Sequence, residues 1–232
     1  MPQLIAMIIV VVGAMIYMFQ TFGGTGDKIE GIAQKTSVIT ELNNIKNGIQ
    51  LALRAGDITT EDMTYNDSDG NPVTINGTTL QSLAALEYFA DQINNELENN
   101  TDTGLRTNGG VNTYSAISFG GEDNPGMLID LILNDATPKD NITQRPGLRV
   151  EFTGSLSANA GFLENQITSD LSATASIDRT SKENEVVVLD ENGDVPPDNR
   201  SSTQGGTASG EDLVDGIFTV YFKDIPASVV QE

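Results

Sequence analysis

The sequence predicts an α+β protein: a long N-terminal helix, apolar in its first half and amphipathic in its second, packed on a mainly antiparallel β-sheet head with one or two extra helices. Three patterns predict it. Leu4 to Phe22 (LIAMIIVVVGAMIYMFQTF) holds no charged side chain. Between Ile29 and Leu53 apolar residues recur mostly every three or four positions, the spacing of one helix face. After Gly147 the period shortens to two, as on a strand with one buried face. The chain thus divides into an apolar rod ending in a glycine hinge over 1–26, an amphipathic helix over 27–56 and a globular head over 57–232.

The rod comes first. At 1.5 Å per residue, a helix of about 19 residues is roughly 28 Å long, the thickness of a bilayer's hydrocarbon core. It is therefore long enough to span a membrane. Pro2 stands in the first turn, where its missing N–H costs nothing. Only Met1, Pro2 and Gln3 precede Leu4, without the basic segment of a secretory signal peptide. The first charges are Asp27 and Lys28, so no N-terminal Lys or Arg sets the orientation. The small residues Ala6, Gly13 and Ala14 let neighbouring helices approach closely, and Met7, Met15 and Met18 adapt to irregular packing.

Gly23, Gly24 and Gly26 interrupt the rod. A second helix follows, with Ile29, Ile32, Ile39, Leu42, Ile45, Ile49, Ala52 and Leu53 as its apolar stripe. Lys28, Glu30, Lys35, Glu41, Lys46 and Arg54 fall largely off that stripe and leave a wet face opposite. Gly56 ends the helix.

A charge-free rod, a glycine break, an amphipathic continuation and a globular head resemble, in that order, the type IV pilin superfamily of bacterial pilins, pseudopilins, archaeal pilins and archaellins. The resemblance covers roughly residues 1–55 and is one of architecture. It implies a subunit anchored in the membrane by the rod and later packed, rod to rod, in a filament core. Leu4, Ile5, Ala6, Ile8, Ile9, Val12, Gly13, Met15, Ile16 and Phe19 would line that core. Gly23, Gly24 and Gly26 would be the hinge, each lowering helix propensity by about 1 kcal/mol. Many bacterial members begin with phenylalanine and carry a glutamate a few residues in; this chain has Met1, and Ile5 where that acid would stand. Archaeal relatives commonly lack the acid.

The resemblance further implies a helical homopolymer at the cell surface, and the cytoplasmic or inner membrane as its station before assembly. A prepilin peptidase, an assembly ATPase and a membrane platform protein would be its partners. The alternative is a single-span surface protein whose head binds a ligand or a partner.

Within the head, Thr59–Thr79 reads as a loop around the turn cluster Asn66–Pro72. Leu80–Asn99 reads as one helix, with Leu80, Leu83, Ala84, Tyr88, Ile93 and Leu97 on one face. Tyr114–Phe119, between glycines, reads as an edge strand. Pro125–Asn134 reads as a short helix from the spacing of Met127, Leu128, Leu131 and Ile132. Four strands are then expected: Leu148–Phe152, Leu171–Ile177, Glu185–Asp190 and Gly216–Phe222, the last apolar on both faces. Glu191–Glu211 reads as an exposed loop.

Composition bounds the function. The 232 residues include no Cys, His or Trp, which removes disulfides and zinc sites of the Cys and His type. Net charge −21 and pI near 4.1 oppose direct nucleic-acid binding, which depends on Lys and Arg clusters. There is no G-x-S-x-G, no phosphate-binding Gly-Lys-Ser/Thr loop and no G-x-G-x-x-G after a strand, so no enzymatic activity is expected.

No cofactor is expected either, with calcium the one candidate ligand. Asp190, Asn192 and Asp194, around Gly193, alternate as calcium-binding oxygen donors do, and Asp67, Asp69 and Asn71 repeat that spacing. Neither loop has the glutamate that completes an EF-hand, and ordinary turn chemistry explains both. Asn-X-Ser/Thr sequons begin at Asn66, Asn76, Asn99, Asn141 and Asn199, a slight excess over chance and the candidate glycosylation positions.

Overall fold

The computed structural model describes residues 31–59, 62–66, 72–98, 112–121, 124–132, 145–179, 189, 194–195 and 216–225. The rod over Leu4–Phe22 and the hinge glycines lie outside the described residues. Among those described, no helix is long and apolar enough to cross a membrane.

Helix α1 runs over 31–55, about 37 Å at 1.5 Å per residue. Its buried line is Val38, Leu42, Ile45, Ile49 and Ala52, alternating steps of four and three. Three residues of the expected stripe deviate: Ile32 is 58% exposed, and Ile39 and Leu53 are only half-buried, while Val38 takes a core position. The end is as the sequence predicts. Gly56 has φ 85°, its N–H reaches Leu53 O at 3.2 Å and Asp57 N–H reaches Ala52 O at 3.0 Å. These are the two bonds of a Schellman cap, which satisfies carbonyls the helix leaves open.

The expected loop over Thr59–Thr79 is instead an antiparallel hairpin, β1 (Asp62–Asn66) and β2 (Pro72–Asn76), with Met63 opposite Ile75 and Tyr65 opposite Val73. Asn66 and Pro72, the ends of the expected turn cluster, are strand residues, and 67–71 lie outside the described residues. The short apolar–polar alternation on either side of 67–71 is the hairpin signal. Thr78 Oγ1 accepts from Thr59 N at 2.9 Å and donates to Asp57 O at 3.1 Å, tying the hairpin's base to the end of α1.

The single helix expected over Leu80–Asn99 is two: α2 (Leu80–Ala85) and α3 (Asp91–Glu98). Glu87, at φ 59°, makes the break. Its N–H reaches Ala84 O at 2.8 Å and Tyr88 N–H reaches Leu83 O at 3.1 Å, a second Schellman cap with glutamate in the left-handed position. α2 starts on a reciprocal cap: Ser82 N donates to Thr79 Oγ1 at 3.1 Å and Thr79 N to Ser82 Oγ at 3.0 Å, which satisfies two open donors.

Among the described residues the main sheet has five strands, β3 (Thr113–Ser115), β4 (Met127–Ile132), β5 (Gly147–Phe152), β6 (Ala175–Asp178) and β7 (Ile217–Phe222), in the order β3-β4-β5-β7-β6. Every neighbouring pair is antiparallel. The edge strand expected over Tyr114–Phe119 is β3 followed by a 3-10 turn, Ile117–Phe119.

The segment expected to be a short helix, Pro125–Asn134, contains β4. Five of its six residues are fully buried, so both faces are covered, and a strand covered on both sides shows no alternation to distinguish it from a helix. The strand expected over Leu171–Ile177 is β6 alone, starting at Ala175. Leu171 instead ends an unexpected helix, α4 (Ala160–Leu171), whose buried side carries Ala160, Leu163, Glu164, Ile167, Thr168 and Leu171. The run expected as a strand over Glu185–Asp190 lies outside the described residues except Leu189.

The five strands put Met127, Ile129, Leu131, Leu148, Val150, Phe152, Phe218, Val220 and Phe222 into one core cluster with the buried lines of α1 and α4. Tyr221 points to the other face and joins Leu189 and Val195 in a second cluster. A Cβ at Gly147 would lie 2.7 Å from that ring. Leu189 and Val195 of the chain itself thus pack on the second face of β7. On that face a polar row crosses all five strands in register, Thr113, Asp130, Arg149, Thr219 and Asp178, every member buried.

Candidate functional site

The seat of α1 on the sheet decides how the amphipathic half of the N-terminal region is presented. Glu41, expected on the wet face, is 3% exposed. It falls three residues after Val38 and four before Ile45, so it lies on the stripe. Its Oε1 accepts from Tyr114 OH at 2.5 Å and its Oε2 from Ser118 Oγ at 3.1 Å, while Ile117 N donates to Tyr114 Oη at 3.3 Å. Burial, then the hydrogen bond to Glu41 and that carboxylate's charge, push the Tyr114 hydroxyl well above the usual tyrosine range. Two hydroxyl donors thus hold a carboxylate that would otherwise be costly in a dry position.

Further ties run the length of α1. Lys35 Nζ meets Asp170 Oδ2 at 2.6 Å, on α4. Lys46 Nζ meets Asp224 Oδ2 at 2.7 Å and lies 4.8 Å from the centroid of the Phe222 ring. Gln50 donates to the same Asp224 oxygen at 3.1 Å. Burial works to raise the Asp224 carboxyl, but the Lys46 hydrogen bond and charge, with Gln50, outweigh it and hold it below the usual carboxylate range. Tyr88 OH donates to Asp57 just beyond the helix. At Gly48 the backbone itself is approached: a Cβ there would lie 2.2 Å from the Phe89 ring.

The outward side of α1 is different in kind. Its exposed residues from Ile32 to Leu51 are Ala, Thr, Ser and Asn between two aliphatics, none of them charged, on a chain of net charge −21. The first exposed charge is Arg54.

A second feature is a polar cleft of about 440 Å³ between α4 and β6, lined by Thr168, Ser169, Ser172, Ser176, Arg179, Asp194 and Lys223 among others. Under it Glu164 is fully buried. Its Oε1 takes Arg179 Nε at 2.8 Å and Nη2 at 2.7 Å, and its Oε2 takes Gly216 N at 2.9 Å. Arg179 Nη2 also donates to Asn165 Oδ1 at 2.7 Å. The guanidinium therefore ties the end of β6 to α4, and the Glu164 carboxylate ties α4 to the residue just before β7. Val195 N donates to Ser176 Oγ at 2.8 Å, holding the Asp194 segment to the edge strand. Hydroxyls, an amide and charged groups share the cleft with Ala175 and Ile177.

Of the calcium candidates, Asp194 lines this cleft beside Arg179 and Lys223, while Asp190 and Asn192 lie outside the described residues, as do Asp67, Asp69 and Asn71. Among the described residues, no group of three or more acidic, Cys or His side chains is placed to hold a metal. Of the sequons, Asn66 ends β1 and Asn76 ends β2, in register with Pro72 and Asp62. Thr78, the hydroxyl residue of the second sequon, is 3% exposed. Asn99, Asn141 and Asn199 lie outside the described residues, with the filament-core candidates Leu4 to Phe19.

Sequence reasoning missed Glu41–Tyr114 and Glu164–Arg179. Projection onto a helical wheel places Glu41 on its buried line, but its partner 73 positions away has no sequence signal. No family model, curated protein or solved structure matches the chain.

Proposed function

We propose that the chain is the major structural subunit of a helical extracellular filament of the type IV pilus kind, assembled through its N-terminal apolar helix. The apolar rod over Leu4–Phe22 is a membrane helix before assembly and a filament-core helix after it, joined to α1 through the hinge glycines. The observation that carries this reading is the two-sidedness of α1. One side is pinned to the head along its length; the other offers an uncharged surface on a molecule otherwise strongly acidic. Such a surface lets copies approach where carboxylates would repel them. A peptidase, an ATPase and a platform protein of the pilus type are the partners proposed with it, by the resemblance alone.

Shearing source cells and pelleting the supernatant tests it. The expected result is thin, detergent-resistant fibres made of this chain, with a mature N-terminus, by mass spectrometry, just ahead of the apolar run. Recovery only in the membrane fraction, as lone molecules under every ionic condition, overturns it. That result favours the second reading, a single-span surface protein, for which the cleft between α4 and β6 is the ligand site.

A further inference from the structure

We infer that the base of the head docks on the lipid surface while the rod spans the bilayer, with Phe162 and Ile32 entering the interface. This rests on the membrane span at Leu4–Phe22, which both readings above share, and not on filament formation.

Two large apolar side chains are exposed at the start of the described part of α1: Ile32 at 58% and, on α4, Phe162 at 47%. The Phe162 ring lies against Gly31, where a Cβ would be 2.9 Å from its edge. The pair therefore sits at the end of the head that the rod leads into. Eight residues separate Phe22 from Gly31. They reach about 12 Å if helical and no more than about 30 Å fully extended, so the tether keeps this end near the headgroups.

Charge points the same way. In a chain with 33 acidic residues, Phe152–Leu163 (FTGSLSANAGFL) has no charged side chain, with Glu151 and Glu164 just outside it. Ser155, Ser157, Ala158 and Asn159 of that stretch are exposed, in the segment that leads into α4 just ahead of Phe162. An uncharged exposed segment leading to an exposed aromatic ring fits an interface that accepts amphipathic and aromatic groups and resists buried charge.

The chain has no tryptophan, so one introduced indole is a unique reporter. Full-length Phe162→Trp and Ile32→Trp are reconstituted in phosphatidylcholine vesicles, with or without brominated acyl chains. Leu86→Trp is the control: Leu86 is 46% exposed and is three residues from Phe89, whose ring covers Gly48, about 25 Å farther along α1 than Gly31. Far-UV circular dichroism checks that each variant keeps the wild-type fold, and flotation after an alkaline wash checks the span. The expected result is a blue-shifted emission at 162 and 32 that brominated lipid quenches at least about twofold, as for a ring some 5–10 Å into the interface, with no quenching at 86.

Flotation without quenching at 162 and 32 overturns the inference and leaves the span standing. Failure to float removes the span and the inference with it. A blue shift at 162 in lipid-free fibres but none in vesicles assigns the ring to a second copy, and equal quenching at 86 shows a head lying on its side; either overturns the inference as well.

Discussion

Glu41 shows how much one side chain decides. Replacing it with alanine leaves the Tyr114 hydroxyl buried without its acceptor, at a cost of about 2 kcal/mol. Glu41→Gln keeps an acceptor and is expected to cost about half as much. Urea denaturation of the two variants, with a Tyr114→Phe double-mutant cycle, measures the difference; equal losses would deny the hydrogen bond its role. The same pair sets a pH dependence. Tyr114 and Tyr221 are both pushed above the tyrosine value of 10.0, chiefly by burial, with Glu41 and Asp178 adding their charge. A raised folded-state pKa favours the protonated form, so this stability is whole below pH 10, the unfolded value, and is lost as pH rises through the folded values. Denaturation midpoints are expected to fall as pH rises above 10, less steeply in Tyr221→Phe. Gly48 is a packing matter. Alanine would gain about 1 kcal/mol of helix propensity there, but its Cβ would lie 2.2 Å from the Phe89 ring and 2.9 Å from Tyr88 O. Overpacking of that kind costs about 1–3 kcal/mol, so Gly48→Ala is expected to destabilise.

At the scale of elements, the two helix ends make a controlled comparison. α1 and α2 finish with the same pair of backbone bonds, one around Gly56 and the other around Glu87. Glycine announces its end in the sequence, whereas glutamate hides it, and Leu80–Asn99 reads as a continuous helix. An L-residue in the left-handed region is strained by roughly 1–2 kcal/mol, so Glu87→Gly is expected to stabilise by about 1 kcal/mol. In an unbroken helix the same change would destabilise by that amount, so the sign of the shift in melting temperature decides between them. β5 and β7 are legible because each shows alternation or a β-branched, aromatic run. β4 is not, since burial on both faces erases the period. In α4, Leu163, Ile167 and Leu171 do recur every four residues, but the alternation from Leu171 to Ile177 overlaps that helical signal and makes its last turn read as strand.

For the whole molecule, charge dominates. With −21 on 232 residues, copies repel at any distance within the Debye length, about 10 Å at 0.1 M salt. Assembly is therefore expected to be promoted by salt or divalent cations, and fibre yield equal in chelator at low ionic strength would contradict that. The sequence by itself determined the uncharged apolar run over Leu4–Phe22, the amphipathic helix with its stop at Gly56, the acidic charge balance, the absence of cysteine and histidine chemistry, and a mixed helix and antiparallel-sheet head. Those properties are local or compositional: each is written in residues close together or in a sum over the chain. Only the tertiary structure decided that β7, last in sequence, lies between β5 and β6, and that Glu41 meets Tyr114. It alone placed a polar row across five strands and brought Phe162 of α4 beside Gly31 of α1. Each of these joins residues far apart in the chain, where the requirement to pair every buried polar group and fill one core selects partners that no period or spacing records.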